Sequence, residues 1–220
     1  MKNLKEILTS YSITKETRHS YGQFYDKHFS PYQNKAKKIL EIGVDTGISI
    51  YAWLDYFPSA TIYGMDIVLP NDPRLFNDRV ILFTGDQGNI NSLNEFIKIY
   101  GGDFDIIIDD GGHTMQQQQL TFKTYFPLLK PGGMYVIEDL HTSYLSGYTE
   151  YGQLNTSVTT LALVEHLEKD LTSKTFSTEF INIEEMNDLK TQIEYCKVEK
   201  DPSTPGDEMS NSEISFIKKK

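Results

Sequence analysis

From Lys38 onward, short apolar runs that end in Gly or Asp alternate with longer stretches of helical periodicity. That alternation constrains the fold more than any other feature. A strand that reads as a continuous hydrophobic run must be covered on both faces, and crossover helices supply the cover. The expected strands are Ile39 to Ile42, Thr61 to Met65, Val80 to Thr84, Phe104 to Ile108 and Met134 to Ile137. Between them, Ser49 to Phe57, Ile90 to Tyr100 and Met115 to Leu129 fit crossover helices, and Val158 to Leu171 repeats its apolar residues at helical spacing. Two last strand-like runs, Gln192 to Val198 and Glu213 to Ile217, flank a turn-rich link over 201–211 and predict an exposed hairpin loop. The expected fold class is α/β: a doubly wound, mostly parallel seven-stranded sheet with an antiparallel C-terminal hairpin.

With 220 residues the chain suits a single domain with one active site. A net charge of -10, with no dense Lys/Arg stripe to override it, repels a phosphate backbone, so nucleic acid is not an expected partner. The opening residues carry basic side chains but no apolar stretch long enough for a leader or a membrane span, which predicts a cytoplasmic protein with no membrane partner. Cys196 is the only cysteine; it lies in an alternating strand-like run and reads as a small buried side chain.

The first strand ends in Glu41-Ile42-Gly43-Val44-Asp45-Thr46-Gly47, where glycines let the backbone turn tightly and approach a ligand at the head of the next helix. A dinucleotide fingerprint needs glycine at positions 45 and 48, and Asp45 and Ile48 stand there instead. A carboxylate in this turn opposes a pyrophosphate, which disfavours a nicotinamide dehydrogenase. The same carboxylate suits S-adenosylmethionine, which has no phosphate and carries an ammonium and a sulfonium. Glu41, Gly43, Asp45 and Gly47 are the expected donor contacts of this turn. Asp66 ends the second strand, where it can accept from the ribose hydroxyls, and Asp86 and Gln87 follow the third, within reach of adenine. Any one strand-end acid is more commonly a helix cap; it is the ordered series after three strands that points to a ligand.

Strand four runs into Asp109-Asp110-Gly111-Gly112-His113 and strand five into Glu138-Asp139-Leu140-His141. Asp109 is expected on the donor side. Neighbouring strands of a doubly wound sheet bring their carboxyl ends together, so Asp110, Glu138 and Asp139 converge. Three carboxylates at one place repel unless a cation neutralises them, and oxygen ligands of this kind suit Mg²⁺ or another divalent ion. His113, across two glycines from Asp110, is the expected general base, and His141 is a second catalytic candidate.

The stretch IIIDDGGHTMQQQQLTFKTYFPLLKPGGMYVIEDLHTSY, residues 106–144, resembles the metal-dependent sugar O-methyltransferases that modify macrolides such as mycinamicin, within the class I methyltransferases. Leu128-Leu129-Lys130-Pro131-Gly132-Gly133 is similar to the turn that recurs before strand five in that superfamily. The resemblance implies a Rossmann-like core over 36–220 and an N-terminal helical segment over 1–35 folded across the donor. It implies S-adenosylmethionine and Mg²⁺ as cofactors, Asp110, Glu138 and Asp139 as metal ligands, and His113 as the base acting on a hydroxyl of a sugar or glycosylated small molecule. Gly112 stands where the family usually has serine. The run Arg18 to Asp26 resembles the donor-covering segment, where Tyr21 and Tyr25 would share a helix face toward the methionine carboxylate. A homo-oligomer is implied as well. The residues alone leave open a metal-dependent hydroxylase and a donor-binding protein without catalysis. The segment Ser143 to Asn155, rich in Tyr, Gly and Ser, is the expected lid over the acceptor.

Overall fold

The structure is a computed structural model that describes residues 3–145, 148, 158–201 and 213–220. Five parallel strands, β1 (Lys38–Ile42), β2 (Thr61–Asp66), β3 (Val80–Thr84), β4 (Phe104–Asp109) and β5 (Leu129–Ile137), are completed by β6 (Ile193–Lys200) and β7 (Glu213–Lys219). They form a seven-stranded sheet in the order β3-β2-β1-β4-β5-β7-β6. Strand β7 pairs antiparallel with both β5 and β6, so the expected closing hairpin is present. Its link, 202–212, lies outside the described residues.

Side chains alternate between two buried layers, as a doubly covered strand requires. Ile106 and Ile108 of β4, with Met134 and Val136 of β5, pack into one layer, beneath α1 (Leu4–Ser10), α3 (Gly22–Phe29) and α4 (Ile48–Tyr56). Ile107, Tyr135 and Ile137 face the other. That layer is covered by α5 (Ile90–Tyr100), α6 (Met115–Tyr125), α7 (Thr160–Lys169) and α8 (Ile183–Gln192). The remaining helix, α2 (Thr14–Thr17), is a single turn between α1 and α3. Aromatics of the first layer interlock: Tyr25, Phe29, Trp53, Phe57 and Phe216 meet in tilted or edge-on pairs with centroids 4.8–6.5 Å apart. Trp53 and Tyr56 are both buried in this layer.

Three departures from expectation have local causes. Helix α6 stops at Tyr125 because Pro127 cannot continue it; a 3-10 turn over Phe126–Leu128 follows. The Lys130-Pro131-Gly132-Gly133 run then lies inside β5 as a bulge, with the β4 register slipping between Phe104 and Ile106 and Gly132 at φ +75°. Helix α8 buries only Met186, Leu189 and Lys190, too sparse a stripe to read; its one signal is the capping box of Asn182 and Glu185. Among the described residues no helix is long and apolar enough to cross a membrane.

Candidate active site

The carboxyl ends of β1 to β5 open on one cavity of about 470 Å³, within the range of small-molecule sites. On the β1 side, Gly43 and Gly47 hold φ at +87° and +81°. A Cβ on Gly43 would lie 1.9 Å from the Asp110 carbonyl oxygen, so glycine is required both by conformation and by the backbone of the next loop. One oxygen of Asp66 accepts from the N–H groups of Val44 and Asp45, at 2.7 and 2.9 Å, and the other from Val68 N–H at 3.1 Å. The carboxylate that was expected to meet a ribose therefore also fixes the glycine turn. Gly43, Asp45, Asp66, Asp86 and Gln87 all line the cavity, whereas Gly47 serves as the left-handed cap of α4, under Leu75.

The β4–β5 side is built differently. Asp110, His113 and Asp139 each offer a ligand atom within 4.8 Å of the others, and all three line the cavity. His113 Nε2 lies 3.5 Å from Asp139 Oδ2. Asp45, His113 and Asp139 are non-glycine residues at positive φ, +45°, +59° and +53°, a strained backbone state that tends to persist where the surroundings over-determine it.

Glu138 is buried beside Asp110, just behind the cavity lining: its Oε1 accepts from Tyr25 Oη and, at 2.6 Å, from Lys15 Nζ. Lys15, from α2, also bonds Asp110 Oδ2 and lies 3.5 Å from Glu41 Oε1, so one buried ammonium is shared by three carboxylates. Burial alone would push Lys15 down, but the charges of Asp110, Glu138 and Glu41 outweigh it and hold the ammonium well above its ordinary range. Glu138 is driven well above the carboxylate range by burial and by Asp110. Asp139, although burial opposes it, is held below that range by His113, His19 and His141.

Other expected donor contacts form a layer behind the cavity wall. Tyr21 and Tyr25 are fully buried, and their hydroxyls donate to Asp139 Oδ1, at 2.9 Å, and to Glu138. Glu41 accepts from Ser49 Oγ at 2.7 Å. Asp109, pushed up to about 7 by burial, accepts from Gln87 Nε2 at 2.5 Å and from Tyr135 Oη at 3.3 Å. His141 stacks on His19, with its Nδ1 4.0 Å from Asp139; it does not line the cavity. Arg18 and His19, from the run expected to cover the donor, do line it, and so does Lys15, which was not expected there. No local pattern announces Lys15, whose partners stand 95 and 123 residues away. Of the expected lid, only Ser143, Tyr144, Leu145 and Tyr148 fall within the described residues.

No family model matches the chain. Among solved structures, the MycE methyltransferase from the mycinamycin biosynthetic pathway, in complex with Mg, SAH and mycinamycin VI, superposes with a TM-score of 0.78 at 29% identity. The match covers 99% of this chain and 54% of that one. The fold is that of a class I methyltransferase. Demethylmacrocin O-methyltransferase of Streptomyces fradiae is 35% identical over 178 residues, 77% of this chain and 44% of that protein. Mycinamicin VI 2''-O-methyltransferase of Micromonospora griseorubida is 36% identical over 154 residues, 66% of this chain and 38% of that protein. The resemblance to macrolide-sugar O-methyltransferases thus holds in both sequence and structure, and this chain spans about half the length of those relatives or less. A Bacillus cereus O-methyltransferase in complex with SAH, at 14% identity and a TM-score of 0.52, shares the fold.

Proposed function

We propose that this chain transfers a methyl group from S-adenosylmethionine to a hydroxyl of a sugar or glycosylated small molecule, with a divalent cation at the β4–β5 end of the crevice. The observation that carries this reading is one cavity lined both by the Gly43 turn with Asp66 and by the Asp110, His113 and Asp139 cluster. The donor set fits a cation: Asp110, Glu138 and Glu41 gather around the Lys15 ammonium, and Asp110 and Asp139 present carboxylate oxygens beside His113, a buried cluster of hard ligand atoms. The relatives named in both comparisons support the same chemistry.

Bound S-adenosylmethionine would supply an electrophilic methyl carbon, and a divalent cation, which Asp110 and Asp139 would hold, would supply Lewis acidity toward the acceptor hydroxyl. The protein's own residues do the rest. Asp66 and the Gly43 turn seat the donor, Asp86 faces its base, and His113 Nε2, oriented by Asp139, takes the hydroxyl proton. Much of the acceleration is positioning. The N-terminal helical segment covers the donor, contributing Lys15, Arg18 and His19 to the wall. The net charge of -10 supports a small acceptor in preference to nucleic acid, and the reading places the enzyme in the cytosol as a homo-oligomer.

The test is mass-spectrometric detection of methylated product from a panel of glycosides, with S-adenosylmethionine and Mg²⁺, in the absence of oxygen. Product that disappears on chelation is expected. His113→Ala is expected to lower turnover by about 10²–10⁴-fold while donor affinity stays within about threefold. Donor binding with no product from any acceptor would leave a binding protein, and oxygen-dependent product would leave a hydroxylase.

A further inference from the structure

We infer that Gln87 is a positioning residue that locks the Asp110–His113 turn in its working shape, and not a reader of adenine. The inference rests on the donor and metal assignment above and deepens it.

The Gln87 amide is bonded at both ends. Nε2 donates to Asp109 Oδ1 at 2.5 Å, and Oε1 accepts from the Gly112 N–H at 3.0 Å. The side chain is only 6% exposed, and the acceptor at one end with the donor at the other allows a single orientation of the amide. Gln87 leaves β3 and reaches the far side of the β4 tip, so the amide ties the last residue of β4 to the loop that follows it. The turn is gripped as tightly as it is bonded. A Cβ on Gly111 would lie 2.1 Å from Gln87 Oε1, and one on Gly112 would lie 2.2 Å from Gln117 Oε1. Gln117 is itself fixed as the partner of Thr114 in the capping box that opens α6. Two glutamines, Gln87 from the loop after β3 and Gln117 from the first turn of α6, therefore close on the glycine pair.

The turn needs such a grip. His113 sits at φ +59°, a conformation that a β-carbon disfavours, one residue before the cap of α6. An unrestrained chain would relax it and move the imidazole away from Asp139. Asp110 at one end of the turn and His113 at the other are both members of the candidate cation cluster, so a loss of the grip displaces both at once. Both ends of the Gln87 amide are already engaged inside the protein, so a turn toward a bound base would break one of these bonds, whereas Asp86, also on the cavity wall, can meet a base without that cost.

The experiment compares the parent protein with Gln87→Met, which keeps the volume and removes both bonds, and Gln87→Asn, which keeps the amide but is too short to span both partners. Isothermal titration with S-adenosylhomocysteine and with Mn²⁺ is combined with turnover at saturating donor, and circular dichroism checks the fold. The expected result is donor affinity within threefold of the parent, Mn²⁺ affinity weakened at least tenfold and kcat lowered at least thirtyfold, in whichever variant folds. A tenfold or greater loss of donor affinity with kcat preserved would make Gln87 a donor contact and overturn the inference. So would a lowered melting temperature with Mn²⁺ affinity and kcat unchanged, the mark of a merely structural role. Failure of the parent to bind S-adenosylhomocysteine would instead overturn the functional reading on which the inference stands.

Discussion

The two ends of the crevice solve the same problem, acidic side chains at strand tips, in opposite ways. On the β1–β2 side Asp66 is satisfied locally: its partners are the backbone N–H groups of Val44, Asp45 and Val68. On the β4–β5 side Glu138 and Asp110 are satisfied by Lys15, and Glu138 and Asp139 by Tyr25 and Tyr21, all delivered by the N-terminal helical segment. The first arrangement is a turn that folds with its strand. The second exists only when a separate segment docks, and it is buried, so its charges depend on one another.

The sharpest way to break this contrast is to remove the shared ammonium. Lys15→Met leaves Glu41, Asp110 and Glu138 without their common cation, and a buried ion pair that loses one partner destabilises a fold by about 3–5 kcal/mol. The expected outcome, in urea unfolding with chelator present, is a loss of that order. Mn²⁺ should then restore more stability to the variant than it adds to the parent, because the cation enters a more negative site. An unchanged unfolding midpoint would mean that the β4–β5 acids do not rely on the N-terminal segment at all.

A smaller effect, of opposite character, is expected from Asp66→Ala. The variant should weaken S-adenosylhomocysteine by about 10- to 100-fold, equivalent to one or two hydrogen bonds to a charged group. Stability should fall by less than it does in Lys15→Met, since water can reach the exposed Asp45 N–H that is released. Titration calorimetry alongside unfolding separates the two losses. If Asp66→Ala proves the more destabilising of the pair, the distinction between a local and a docked half collapses.

The same distinction explains what the sequence made legible. Strand tips, the glycine turn and the acids after β1, β2 and β3 are set by residues close in the chain, so hydrophobic runs and turn formers reveal them. The neighbouring ends of β4 and β5 follow from the parallel order of the sheet, which brought Asp110 and Asp139 together as expected. Lys15 and the true partners of Tyr21 and Tyr25 were not legible, because a buried pairing over such separations leaves no periodic trace. Glu138 shows the consequence: equal to Asp139 in sequence, it is bonded to Tyr25 and Lys15, groups that only the docked segment supplies. Helix α8 was hidden for another reason, a nearly uniform polar surface with little apolar stripe.

The least effect concerns how the N-terminal segment is held, and it sharpens the contrast by acting first on the half whose acids that segment satisfies. His28 of α3 stacks on Phe216 of β7 at 4.0 Å, and its Nε2 lies 2.9 Å from Glu199 of β6. Burial lowers the His28 pKa, only partly opposed by the bond to Glu199, so the neutral imidazole is favoured in the folded protein. Its contribution is therefore complete above the ordinary histidine value and is lost as pH falls through the lowered one. His19 and His141, also lowered mainly by burial, act in the same direction at the β4–β5 end. Melting temperature should thus decline from neutral pH toward pH 5, and His28→Gln should flatten part of that decline, by less than about 1 kcal/mol once solvent screening is allowed for. Because the acids of β4 and β5 rely on this segment while Asp66 does not, acidification should loosen Mn²⁺ before it loosens S-adenosylhomocysteine. Parallel loss of both ligands across that range would tie the donor turn to the N-terminal helices as firmly as the cation site, and the two ends of the crevice would have to be treated as one.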